Sequence, residues 1–178
     1  MGIIRKSFQN VDESTLPMLY KTMVRPHLEY GNAVWGAFNR ADQILVERVQ
    51  RRATKLVQSI RHRPYMERLQ LLNLPSLYYR RKRGDMILTY QIFQGDVDVL
   101  PEVFFNQVTD SITRGHRWKL RKPRAEARIR RNAFATRIVN DWNSLPPSVI
   151  NSPSLHSFKT NLDAHWADQI FTIPDQDL

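Results

Sequence analysis

Enzyme sites need side chains that move protons, hold metals or attack electrophiles, and this chain offers few in usable patterns. Its 178 residues include 17 acids, 5 histidines and no cysteine. The lack of cysteine removes disulfides, thiolate zinc sites and thiol nucleophiles, and it leaves the redox compartment undetermined. Metal-assisted phosphoryl transfer needs carboxylates converging on one point, and here the acids are scattered. Asp96 and Asp98 follow a glycine and match the first and third positions of a calcium loop. The rest of that pattern is missing, so a polar turn is the simpler reading. His27, His62, His116, His156 and His165 show no ligand spacing. There is no nucleophile-elbow pattern, and the six glycines form no phosphate loop. The expectation is no catalytic site, no metal and no cofactor.

Binding is the positive signal. Lys and Arg number 27, the formal charge is +10 and the isoelectric point is about 10.3. Such a balance points to an anionic partner, with nucleic acid first and an acidic membrane surface second. The charge is concentrated. Arg114, Arg117, Lys119, Arg121, Lys122, Arg124, Arg128, Arg130 and Arg131 stand against one acid, Glu126, a net +8 within one strip. Arginine outnumbers lysine there, which suits bidentate phosphate contacts. Two further clusters are Arg48, Arg51, Arg52 and Lys55, and the unbroken run Arg80, Arg81, Lys82 and Arg83. Each cluster has two readings, a solvated basic face or a contact with backbone phosphate. Trp118 is the one aromatic in the strip. It suits packing beneath the charges better than stacking on a base. Trp35, Trp142 and Trp166 read as core or inter-helix anchors.

The elements that would position these charges are helical. A hydrophobic fraction of 42% is enough for a sizeable core. Leu16, Leu19, Tyr20, Met23 and Val24 fall on one face of a first helix, with Ser14 as its cap and Pro26 as its end or kink. Asp42 is the expected N-cap of a helix over 42–60 striped by Leu45, Val49, Ala53, Leu56 and Ile60. Pro64 and Asn73 bracket a short helix. A long helix over 77–94 stops at Gly95. Gly84 within it suggests a close helix approach, and Arg81 with Asp85 are spaced for an ion pair. Phe134, Ile138 and Trp142 recur every four residues until Pro146-Pro147 end the pattern. This stripe next to the basic strip implies a fixed electropositive surface. Ser152 and Pro153 open a last helix carrying Leu155, Phe158, Leu162 and Trp166, and an acidic tail from Asp168 is expected to fray. Strand alternation is nearly absent, with a trace at Arg117 to Arg121. The predicted class is mainly α: small helical bundles of about five to seven helices, a basic loop-rich strip and little or no β. The expected division is a helical lobe over 1–95, an irregular linker over 96–112, and the strip plus a C-terminal lobe over 113–178. There is no internal repeat. No apolar run reaches membrane-spanning length, the N-terminus lacks a signal core, and Lys6 breaks the myristoylation pattern after Gly2. A nuclear or cytoplasmic location is the default.

Six stretches occur in an order that carries a resemblance: LYKTMVRPHLEYGNAVW (Leu19 to Trp35), ERVQRRATKLV (Glu47 to Val57), LPSLYYRRKRGDMILTYQIFQG (Leu74 to Gly95), TRGH (Thr113 to His116), NAFATRIVNDWNSLP (Asn132 to Pro146) and SFKTNLDAHW (Ser157 to Trp166). Over about residues 15 to 166 the chain resembles the C-terminal part of the reverse transcriptase of non-LTR, jockey-like retrotransposons. The resemblance implies a helical thumb and a downstream helical extension that hold the template–primer duplex. It places the polymerase's catalytic aspartates upstream, in a palm this chain begins too late to contain. No Asp-Asp pair occurs, and the Cys/His knuckle of some relatives is missing. The implied function is a non-catalytic fragment of an RNA-directed DNA polymerase. Its partners would be an RNA/DNA duplex or other nucleic acid, and the fingers and palm if a longer frame is expressed, with no membrane role. The alternatives are a host-adopted helical protein-interaction module and a pseudogene product with no selected activity.

Overall fold

The computed structural model describes residues 6–8, 10–35, 40–108 and 116–173, with the side chains of Trp35 and Arg128 left out. Among these residues the chain is mainly helical, and its sheet is one antiparallel pair, Asn106–Gln107 with Leu120–Arg121. The second strand falls on the faint alternation noted near Arg121.

The chain divides into two compact units, and the division differs from the one expected. One unit holds 1–32, 39–81 and 168–178, and the other holds 33–38 and 82–167. The boundary falls inside the Leu77–Gln94 helix rather than in 96–112. That segment is held within the second unit by the buried Phe105 and by the strand pairing that follows it.

In the first unit, Ser14 stands at the N-cap of the first helix as expected, but the side chain that caps it is that of Asp12. Its carboxylate accepts from the N–H groups of Ser14 at 3.0 Å and Thr15 at 2.7 Å, which lowers its pKa to about 2. The helix then runs through Pro26 instead of stopping. Residues Tyr20–Val24 form a π-helical turn, the N–H of Arg25 reaches back to the Tyr20 carbonyl, and a new α-helix takes Pro26 in its first turn. Proline's missing N–H costs nothing at such a start. The inserted π turn also shifts the helical phase. Leu16, Leu19 and Tyr20 are buried as expected, but Met23 turns outward.

The next helix is Arg40–Thr54, shorter than the expected 42–60, with Asp42 in its first turn. Its end is set by competition for terminal carbonyls. The Thr54 hydroxyl and the Arg68 guanidinium both donate to the Arg51 carbonyl, at 3.0 and 3.3 Å. Val57 and Ile60 still reach the core from the following turn. The buried face also differs from the expected stripe. Leu45 is exposed, while Glu47, Gln50, Ala53 and Thr54 are buried. The Glu47 carboxylate caps the Leu77–Gln94 helix, accepting from the N–H groups of Leu77 at 3.3 Å and Tyr78 at 3.2 Å and from the Tyr65 hydroxyl at 2.7 Å. Gln50 donates to the Pro75 carbonyl at 3.0 Å. The short helix Tyr65–Leu71 follows Pro64 and closes on Asn73 at φ +46°, with the Leu74 N–H returning to the Leu69 carbonyl. The tail is tied down rather than frayed as far as residue 173. Ser76 donates its N–H to Ile170 and its hydroxyl to the Thr172 carbonyl at 2.6 Å, and Phe171 and Ile173 pack on the core.

The second unit is built on aromatic rings. Phe93 stacks with Phe105, Trp118 and Trp142 at 5.7, 5.2 and 5.7 Å between centroids. Tyr90 stacks on Phe158 at 4.2 Å and donates to the Ser152 carbonyl at 2.6 Å. Phe134, Ile138 and Trp142 are buried as the spacing predicts, although the helix breaks into Phe134–Arg137 and Val139–Ser144. Trp166 is buried as well. The cap of the last helix, Leu155–His165, is Ser154, whose hydroxyl accepts from the Ser157 N–H. Ser152 is buried instead, donating to Val149 and accepting from Asn161. Gly84 is exposed, which removes the close-approach explanation.

Two predictions follow from the caps. Gly95 ends its helix at φ +78°, and an added Cβ would meet nothing within 4 Å. Gly95→Ala should therefore cost about 1 kcal/mol from backbone strain alone, with Gly95→Asn losing less. Urea unfolding that finds alanine and glycine equal would contradict the left-handed cap. Burial raises the Glu47 pKa above its ordinary 4.5, and the donors from Tyr65, Leu77 and Tyr78 offset this only in part. Its contribution to stability is thus full below pH 4.5 and is lost as pH rises through the raised folded value. The stability advantage of the native chain over Glu47→Gln should shrink with rising pH. Thermal melts showing that advantage growing would reverse the sign.

Candidate nucleic-acid interface

The sequence-selected cations separate by what they touch. On the Arg40–Thr54 helix, Arg48 and Arg52 are exposed, and Lys55 is exposed in the turn just beyond it. The i, i+4 spacing puts Arg48 and Arg52 on one side of the helix, and Arg52 and Lys55 line one groove. None meets a carboxylate among the described residues. Arg51 is half-buried, with its guanidinium 5.4 Å from the centre of the Tyr65 ring. Arg68 stands at the same distance from that ring and is only 2% exposed. It donates to the carbonyl at the end of the Arg40–Thr54 helix, where the helix dipole is negative, so it buttresses that end.

The run Arg80 to Arg83 does not form a patch. Arg80 makes a bidentate pair with Glu29, with Nη2 to Oε2 at 2.8 Å. Arg81 is buried, and its charge helps to stabilise the Glu47 carboxylate. Lys82 lies 3.0 Å from Asp141 and over the Trp166 ring. Arg83 grips Asp163 at 2.5 and 2.8 Å. Asp85 is held bidentately by Arg137 at 2.9 Å through both oxygens, a partner that the Arg81 spacing did not suggest. Within the fold these four cations are taken up by carboxylates or by burial.

The basic strip is exposed and anchored. Arg117, Arg121, Lys122, Arg124, Arg130 and Arg131 are exposed and Lys119 is half-buried. Arg114 and the Arg128 side chain lie outside the described residues. The buried Leu120 pins the strip. Its N–H donates to the Asn143 side chain at 2.9 Å and its carbonyl accepts from the same amide at 2.8 Å. The Trp142 indole donates to the Trp118 carbonyl at 2.7 Å. Trp118 itself packs on Phe93, with Arg117 stacked 4.3 Å above its ring. That is the packing role expected of it. His116 is buried, with Nε2 at 3.1 Å from the Trp142 carbonyl, and desolvation lowers its pKa so that it sits neutral. Charge density in the sequence passed over Arg61, which lines an open groove with Arg52 and Lys55. The RHR triplet over 61–63 was the available signal.

Among the described residues no group of three or more His, Asp or Glu could hold a metal ion, and no helix is long and apolar enough to cross a membrane. No protein-family model, curated protein or solved structure matches this chain.

The two classes of cation should behave oppositely on substitution. Arg137→Met removes the bidentate partner of the buried Asp85 carboxylate and should cost about 2–3 kcal/mol, the upper part of the buried-pair range being screened by solvent. Combined neutralisation of Arg48, Arg52 and Lys55 to Gln should change stability by less than about 1 kcal/mol. A thermal melt in which the triple variant is the less stable protein would refute the assignment.

Proposed function

We propose that this chain is a non-catalytic thumb and C-terminal region of a non-LTR retrotransposon reverse transcriptase that binds nucleic acid through backbone phosphates. The observation that supports it most is the basic strip. It presents exposed arginines from a segment pinned at Trp118 and Leu120 by Trp142 and Asn143 and from the short helix Arg128–Asn132 that follows. Arg48, Arg52 and Lys55 add a second cationic face. Contacts of this kind position a duplex without reading its sequence. The polymerase's catalytic aspartates would come from a palm outside these residues, so the chain would not polymerise DNA itself. A second reading, a helical protein-interaction module, draws on Leu100 and Val103, which are 69% and 71% exposed beside Pro101.

Fluorescence anisotropy with a labelled RNA–DNA hybrid across a salt series tests the first reading. Binding should be micromolar or tighter at low salt, with log K falling linearly against log salt. Neutralising Arg124, Arg130 and Arg131 should flatten that slope by about 2–3, close to one unit per lost phosphate contact. A folded chain that fails to bind at low salt would sink the proposal and leave the apolar Leu100–Val103 surface as the place to seek a partner.

A further inference from the structure

Within the first unit, an open groove of about 710 Å³ runs between the segment before the first helix and the turn after the Arg40–Thr54 helix. Its size falls in the range of small-ligand sites and would hold a nucleotide unit. Arg52, Lys55 and Arg61 line it, with half-buried Leu56 beneath and Phe8 at its side. Phe8 is 38% exposed, so part of its ring is open to solvent. Among the described lining residues the acid is Asp12, whose carboxylate accepts from the N–H groups of Ser14 and Thr15, and Arg61 donates to the neutral Gln58 side chain at 2.9 Å. Among the described residues the lining carries three cations and one acid, with the Glu13 carboxylate at its edge on Ser59 at 2.8 Å.

We infer that this groove takes an unpaired stretch of nucleic acid, with a base against the Phe8 ring and the adjoining phosphates on Arg52, Lys55 and Arg61. The cations alone would accept any polyanion, and the aromatic ring narrows the choice. A ring beside phosphate ligands matches the way single strands are held, because an unstacked base offers a free face that a duplex interior does not. An acidic peptide would match the charges and leave Phe8 without a role. The inference rests on the nucleic-acid reading and narrows it to a strand type and a place.

The test uses the whole chain, a labelled oligothymidylate of about ten nucleotides and a blunt hairpin duplex of the same charge, both at low salt. The native chain should bind the single strand. Phe8→Leu should weaken that binding about tenfold or more, as loss of one stacked base would, and leave the duplex affinity within about twofold. Phe8→Tyr should restore the loss, and matched melting temperatures would show that each variant folds. The inference is overturned if Phe8→Leu binds the strand as the native chain does, or if polyglutamate of matched charge competes equally well. Tight duplex binding with no measurable strand binding would overturn it while the broader function stands. Binding to neither probe would remove both.

Discussion

The Glu47 carboxylate is the contact on which the first unit depends. It draws together the middle of the Arg40–Thr54 helix, the hydroxyl of Tyr65 and the first free N–H groups of the Leu77–Gln94 helix. A carboxylate at a helix N-terminus meets both unsatisfied donors and the positive end of the dipole. Burying it is still costly, and its raised pKa shows that desolvation outweighs the donors. The fold accepts that cost because three helices obtain a fixed relation from one side chain. It also explains why the buried face of the Arg40–Thr54 helix is polar. Once Glu47 and Gln50 must face inward to reach Tyr65, Leu77 and Pro75, Leu45 is carried out to solvent on the same rigid helix.

The arginines illustrate how charge density along a sequence differs from charge density on a surface. Consecutive residues on a helix point about 100° apart, so a run of four cations is spread around the axis. Arg80, Arg81, Lys82 and Arg83 accordingly meet four different environments: Glu29, the neighbourhood of Glu47, Asp141 and Asp163. By contrast Arg48 and Arg52 are a helical turn apart and share a side, and Lys55 joins Arg52 at one groove from the turn beyond. Spacing, rather than number, decides which cluster can act as a surface. The first part of the strip, through Arg124, escapes this rule because it is not helical and is pinned at Leu120, whereas Arg130 and Arg131 sit on the short helix Arg128–Asn132.

Much of the fold was legible where a residue's own backbone chemistry decides the outcome. Gly95 and Asn73 adopt the left-handed conformation that ends helices, Pro64 precedes one, and the fourfold spacing of Phe134, Ile138 and Trp142 finds the core. What could not be read were choices between equivalent partners. Asp12 and Ser14 are both good caps, as are Ser152 and Ser154, and tertiary contacts select among them. Ser152 is drawn inward by Val149 and Asn161, which leaves Ser154 to cap. The strap over 170–173 depends on Ser76, almost a hundred residues away, and no local pattern announces it. The π turn before Pro26 is likewise invisible to a 3.6-residue period. At the candidate interface, the residue types were legible but their commitments were not, since carboxylate partners such as Glu29 and Asp163 lie 51 and 80 residues from their arginines.

The anchoring of the strip bears on what sort of binding it can support. A disordered basic tail must lose conformational freedom when it meets a polyanion. Here Leu120 is paired through both backbone groups to Asn143, and Trp142 holds the Trp118 carbonyl, so the backbone between them has already lost much of that freedom on folding. Arg117 is further ordered by stacking on Trp118. The outer guanidiniums are exposed. Such a surface gives affinity through pre-arranged charge and little discrimination between sequences, since phosphates are identical along a strand. Selectivity in the proposed binding would have to come from a group able to touch bases, the role inferred for the ring of Phe8 beside Arg52, Lys55 and Arg61.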